Sequence, residues 1–381
     1  MSSPTAICQL PSAPRILVRG TNWLGDAVMT TPALLRLRGK FPGAYIVLLT
    51  PEKLGDLWTN HPAISETISF APGENVFSVG RKLRAGNFDL ALVLPNSPRS
   101  ALEVWLAGIP QRIGCARPWR NWFLTRAVPA RAEAVKMRKR SIGEIRQLAA
   151  ADASRRTDHN DRAFTSAATA HQMHEYLHLA GVLGANPEPL TPQLFVTPGE
   201  IEAVNKKFDL SKIERPLLGL NPGAEYGPAK RWPMEKFIAA ASEIQKRTNC
   251  TWLVFGGQAD VDIANRIESA MASPPSAIWN LAGKTSLREL MTLLKICRVL
   301  LTNDSGPMHV AAALGTPVVV PFGSTSPELT GPGLPGDAWH RLLKSDAPCS
   351  PCFLRECPID FRCLNGISAE RVVEAVLQII R

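Results

Sequence analysis

The chain has 381 residues, a net charge of +10, 45% hydrophobic and 20% charged residues. This composition excludes a disordered chain, and the length suits two domains of about 150–200 residues each. The basic excess calls for an anionic partner, whether nucleic acid, an acidic membrane surface or a phosphorylated substrate, without choosing among them. The first fourteen residues lack a basic start followed by an apolar core, so no secretory signal is read there. The longest charge-free stretch, 305–327, is broken by glycines and prolines and is too punctuated to span a bilayer. A soluble, cytoplasmic protein is expected.

Strand and helix patterns alternate in two successive runs, which is the signature of parallel α/β sheets. In the first run, residues 15–20 (RILVRG) read as a buried strand, with a helical segment through Phe41. Residues 45–50 (YIVLLT), 64–70 and 88–94 (FDLALVL) read as further strands, followed by an amphipathic stretch over 100–107 and a fifth strand near 109–113. The second run opens at 216–220 (PLLGL) and continues through helix 234–247, strand 251–255 (TWLVF) and helix 260–271. Helix 287–297, strand 298–302 (RVLLT), helix 308–314 and strand 317–322 (PVVVPF) complete it. Each half is predicted to be a doubly wound sheet.

These patterns predict a first domain over 1–185, a proline-containing linker over 186–197 and a second domain over 198–367. A closing helix, 368–381, is read as able to pack back on the first domain. Residues 150–171 are rich in Ala, Thr, Asp and Arg without periodicity, and read as a mobile insertion.

Ligands of parallel sheets bind at the carboxyl ends of strands. Four loops sit there. Asn303, Asp304, Ser305, Gly306 and Pro307 lie between a strand and a helix, where free backbone N–H groups and the helix dipole suit a phosphate. His309 lies one turn in, and an ordinary capped helix is the competing reading. The loop 221–233 carries Gly223, Ala224, Gly227 and the Lys230-Arg231 pair, a shaped turn able to deliver a cation to phosphate; a solvated turn is the alternative. Gly20 to Asp26 follows the first strand, and Asp26 there serves equally as a proton acceptor or as a helix cap. The loop 255–260 offers Asp260, or Asp262 beyond it, to a ribose hydroxyl. No GxxxxGK[ST] or GxGxxG follows the strands, which disfavours a P-loop ATPase or a dinucleotide reductase.

Two further clusters stand apart. Arg112, Arg117, Arg120, Arg126, Arg131, Lys136, Arg138, Lys139, Arg140 and Arg146 interleave with Trp119, Trp122 and Phe123, a mixture suited to nucleic acid, a lipid surface or merely a solvated face. Cys349, Cys352, Cys357 and Cys363 have irregular spacing that would allow either a structural zinc ion or free thiols.

Four segments, GTNWLGDAVMTTPAL (20–35), NPGAEYGPAKRWP (221–233), LAGKTSL (281–287) and TNDSGPMHVAAALGTPVV (302–319), resemble glycosyltransferase family 9, the ADP-heptose:lipopolysaccharide heptosyltransferases. The resemblance spans both halves. It implies the GT-B fold, two doubly wound Rossmann-like domains facing across a cleft, with the active site between the Asp26 and Asn303–Gly306 loops. It also implies an inverting transfer of L-glycero-D-manno-heptose from ADP-heptose to the heptosyl-Kdo-lipid A inner core. By the same resemblance Asp26 is the base. Gly223, Ala224, Lys230, Asn303, Asp304, Ser305, Gly306 and His309 bind the donor. No cofactor or metal is required, the acceptor is anionic, and the partner surface is the cytoplasmic face of the inner membrane rather than nucleic acid. A family member with another core acceptor, and a zinc-stapled nucleic-acid-binding protein, are the alternatives.

Overall fold

The computed structural model describes residues 10–135, 137–154, 170–271, 277–334 and 336–380. Most of the expected mobile insertion lies outside them. The chain divides into two units. The first comprises Met1–Ala134 and Gln172–Phe195, the second Val135–His171 and Val196–Arg381. The chain thus passes between units more than once, whereas the sequence pattern suggests a single linker. Within the second unit, Arg140 donates from its backbone to Cys352 O at 3.0 Å, and Arg362 Nη1 donates to Ala149 O at 2.9 Å.

The first unit carries β1 (Arg15–Arg19), β2 (Tyr45–Pro51), β3 (Glu66–Phe70), β4 (Leu90–Val93), β5 (Gln111–Cys115) and β6 (Arg126–Val128) in the order β3-β2-β1-β4-β5-β6. All its pairings are parallel. Continuous apolar runs such as RILV and IVLL form the inner strands because helices cover both faces of a parallel sheet. Leu17, Val47, Leu49, Ala91 and Val93 pack with Val79, Leu83 and Val104 of the helices Val76–Arg84 and Pro98–Leu106 in one core.

The second unit repeats the plan. It contains β7 (Leu217–Asn221), β8 (Thr251–Val254), β9 (Ile278–Asn280), β10 (Leu300–Thr302), β11 (Val318–Pro321) and β12 (Arg341–Leu343), ordered β12-β11-β10-β7-β8-β9. These pairings are parallel too. The strand order reverses between β7 and β10, so the loops leaving those two neighbours emerge side by side, where ligands of open α/β sheets bind.

The closing helix, Ala369–Ile380, lies on the helix Met234–Thr248 and beside β11 and β12. Val372, Val373, Val376 and Leu377 are buried there with Phe237, Ile244 and Leu364. This apolar face supplies the outer layer of the second sheet, which would otherwise expose β11 and β12 to water.

Candidate active site

Asn303 bridges the loops after β7 and β10 through both ends of its side chain. Asn303 accepts from the Trp232 backbone N–H at 2.9 Å through Oδ1, and donates through Nδ2 to Pro222 O at 2.6 Å. Its side chain is fully buried, so both bonds are made away from competing water. Asn221 repeats the device one strand away, donating to Thr302 Oγ1 at 3.1 Å. Asn303 is therefore a clasp for the site.

Lys230, at the end of the β7 loop, meets Asp304 with Nζ 2.6 Å from Oδ2. Thr325, in the loop after β11, donates its hydroxyl to the same carboxylate oxygen. The ammonium also lies 4.8 Å from the centroid of the Tyr226 ring. The helix Gly306–Ala313 starts here, with Ser305 extended at its N-cap and making no side-chain cap bond, and with Pro307 in the first turn. Ser305 Oγ instead lies within reach of Thr302 Oγ1 and Asn221 Nδ2. The ordinary side-chain cap of the competing reading is thus absent at Ser305, which leaves the helix-terminal N–H groups uncapped by it and suited to an anion. His309 is buried behind this turn. Burial pushes its imidazole down to about 4, against the raising influence of Asp304, so it stays neutral at physiological pH.

Two glycines explain how the β7 loop comes so close to its neighbours. A Cβ on Gly223 would sit 2.5 Å from the Asp260 carboxylate. Gly227 has φ +145°, and a Cβ there would lie 2.6 Å from Arg355 O. Ala224 is buried beside them. Asp260, read as a ribose contact, accepts from its own Gly257 N–H at 3.0 Å and so closes a turn, while Asp262 is exposed.

The cysteine segment is a strap beneath these loops. Cys352 and Phe353 donate backbone N–H groups to Ser324 O, and Ser350 Oγ donates to Gly323 O. Tyr226 OH donates to Phe353 O at 2.8 Å, and Ala229 N–H to Arg355 O at 3.0 Å. Burial raises the Cys349 and Cys352 thiols and pushes Cys363 up to about 12, so these groups are protonated at neutral pH. Among the described residues no group of three or more His, Cys, Asp or Glu is arranged to hold a metal ion. The zinc reading of the four cysteines gains nothing from the fold.

In the first unit, Asp26 lies in the first turn of the short helix Leu24–Met29, whose N-cap is Trp23. Asp26 is thus not the cap residue. Its Oδ1 accepts from Gln172 Nε2 at 3.1 Å, and the same amide donates to Tyr176 OH at 2.9 Å. The Tyr176 phenol, raised first by burial and then by the Asp26 charge, stays protonated. Arg19, at the end of β1, braces the loop: Nη1 donates to Gly20 O at 2.6 Å and Asn22 Oδ1 at 2.9 Å, while Nε pairs with buried Glu103 at 2.9 Å.

Gln172, Tyr176, Thr325 and Arg19 were not singled out from sequence. Thr325 had a usable signal, a hydroxyl just past a strand's carboxyl end. Gln172 had none, since it reaches Asp26 from 146 positions away. The basic stretch also resolves differently from a uniform face. Arg112 donates Nε to Phe123 O, and Arg120 is fully buried with Nη1 on Asn96 Oδ1. Arg138 pairs with Glu144, and Arg140 belongs to the second unit.

Comparison with known proteins follows the same lines. A protein 35% identical over 333 residues, covering 84% of this chain and 85% of its own length, is lipopolysaccharide heptosyltransferase 2 of Salmonella typhimurium. Lipopolysaccharide heptosyltransferase 2 of Escherichia coli is 33% identical, covering 87% of this chain and 91% of its own. The structure of the E. coli ADP-heptose lps heptosyltransferase II superposes with a TM-score of 0.74 at 30% identity, over 96% of this chain and 98% of that one. The two parallel-sheet units are therefore those of the GT-B fold. The model of glycosyltransferase family 9 (heptosyltransferase) matches residues 76–361, and on these grounds the chain belongs to that family.

Proposed function

We propose that the protein transfers L-glycero-D-manno-heptose from ADP-heptose to the heptosyl-Kdo-lipid A inner core of lipopolysaccharide, with inversion at the anomeric carbon. The observation that carries the reading is the Lys230–Asp304 contact at the start of the helix Gly306–Ala313, clasped by Asn303, in a chain of the heptosyltransferase family. Relatives bearing the name heptosyltransferase 2 at 33–35% identity support the choice of acceptor.

In this mechanism Gly223, Ala224 and the N–H groups of Ser305 and Gly306 shape the donor pocket. Asp26 takes the proton of the acceptor hydroxyl while that oxygen forms its bond to the anomeric carbon. The bond from that carbon to the diphosphate breaks, and ADP carries the electron pair away. Lys230 and the helix terminus stabilise the charge that grows on the leaving diphosphate, which is worth most in a water-poor site. Asp304 orients Lys230 through the ion pair, and neutral His309 packs behind the turn. Gln172 holds the Asp26 carboxylate as a hydrogen-bond donor, so that its basic oxygen is presented in one orientation.

The acceptor is a membrane lipid, and the protein works peripherally at the cytoplasmic face of the inner membrane. Among the described residues no helix is long and apolar enough to cross a membrane. The test is ADP release from ADP-heptose with a panel of acceptors: lipid A-Kdo, the same core bearing one heptose, and a longer core. Release should require the singly heptosylated acceptor, and Asp26→Ala should abolish turnover while ADP still binds. Equal turnover on all three acceptors, or full activity in the variant, overturns the assignment.

A further inference from the structure

The turn between β5 and β6 holds the most exposed large apolar side chains of the described residues. Trp119 is 78% and Trp122 81% exposed. Trp119 has φ +64°, a left-handed conformation that β-carbon-bearing residues avoid, so the backbone is held against its preference to present this indole. The turn is braced. Arg120, between the two indoles in sequence, is fully buried, and Arg117 N–H donates to Asn121 Oδ1 at 2.9 Å. Phe123 at the base packs edge-on against Trp105, itself 47% exposed, at 5.8 Å between ring centroids.

Along the chain, the charge on either side of this turn has one sign. Residues 104–132 contain five arginines, three tryptophans and no Asp or Glu. Arg117 and Arg126 flank the indoles. β5 and β6 lie at one edge of the sheet and run parallel, so their connection leaves the same carboxyl-end rim as the Asp26 loop after β1 and returns to the amino end of β6. Scattered apolar side chains on a surface need no explanation. Protruding indoles on a braced, purely cationic turn do.

We propose that the Trp119–Trp122 turn is a membrane-docking tip, in which both indoles enter the headgroup region of an anionic bilayer while Arg117 and Arg126 meet lipid phosphates. The proposal rests on the membrane-lipid acceptor of the preceding section and adds the surface that reaches the membrane. Tryptophan suits this layer because its ring is apolar with one polar N–H. Each arginine near an anionic surface strengthens binding about fivefold. A single-stranded nucleic acid would instead need aromatic groups lining a basic groove, and side chains about four-fifths exposed form a protrusion.

The test uses the full-length protein and vesicles of phosphatidylcholine with or without about a third phosphatidylglycerol, read by co-sedimentation and by tryptophan emission. Wild type should bind only the anionic vesicles, shift its emission to the blue and be released by high salt. Trp119→Asn with Trp122→Ser should weaken binding about tenfold or more, with Asn chosen because it tolerates the left-handed backbone. Arg117→Gln with Arg126→Gln should abolish the preference for anionic vesicles. Each variant should keep wild-type ADP release on detergent-dispersed acceptor. Undiminished vesicle binding by the tryptophan variant, no binding by wild type, or salt-sensitive capture of an RNA oligonucleotide in place of vesicles overturns the tip. Absence of ADP release by wild type in detergent overturns the enzymatic reading and leaves vesicle binding to decide the tip by itself.

Discussion

Lys230 and Asp304 pair at 2.6 Å, with side chains 13% and 4% exposed, so a buried carboxylate orients the cation assigned to the leaving diphosphate. Replacing Lys230 by Met should lower turnover by about a hundredfold to a thousandfold, the usual consequence of losing a charge that acts on the transition state. Steady-state rates across a range of ADP-heptose concentrations check this. A loss confined to KM would show that Lys230 acts on bound substrate and transition state alike.

Gln172 is a positioning residue for Asp26. Gln172→Ala should reduce kcat about tenfold while KM for ADP-heptose stays put, because the Gln172 amide acts on Asp26 and Tyr176. Gln172→Asn, one methylene shorter, should not restore the rate. A matching loss in Tm without a kcat change would assign the residue to packing alone.

The Arg19–Glu103 pair is buried at 2% and 0% exposure, and Glu103 also takes Arg99 at 2.9 Å. Glu103→Ala strands the Arg19 guanidinium in the core beneath the Gly20–Asn22 loop. Urea denaturation should show a loss of about 3–5 kcal/mol, the range for breaking one side of a buried ion pair.

His309 sets an acid limit on the stability of the second unit. Its folded-state value of about 4 lies below the ordinary histidine value of 6.5, so the unfolded chain binds the extra proton first. Stability from this group is complete above pH 6.5 and is lost as pH falls toward 4, about 3 kcal/mol in all. His309→Gln should flatten that part of a denaturation-versus-pH curve.

Gly227→Ala should destabilise the protein by about 1–3 kcal/mol and weaken ADP binding together, since φ +145° and the Arg355 carbonyl both oppose a methyl group. Isothermal titration with ADP and a thermal melt on the same sample test the coupling. Gly199→Ala, where a Cβ meets nothing within 4 Å, is the control.

The sheet cores were legible because inner strands of a parallel sheet carry unbroken apolar runs, as in the ILV of RILVR and in LALV. β6, β9 and β12 have three residues each, too few to display a period, and β10, equally short, is legible only as the end of the run RVLLT. The helix Pro198–Lys207 carried its own start signal, a capping box between Thr197 and Glu200, but proline-rich neighbours masked it. At the site, strand-end loops identified Lys230, Asn303 and Asp304, whereas the tasks of those residues depended on partners distant in sequence. Nothing in the composition of residues 112–146 separates Arg120, which is internal, from Arg117, which is not.

Asn303 uses both ends of one carboxamide to join two loops. Spontaneous deamidation of that single nitrogen would turn the group facing Pro222 from donor to acceptor and set two oxygens against each other. The catalytic shelf life of a stored preparation then depends on how well a closed core protects one amide from hydrolysis.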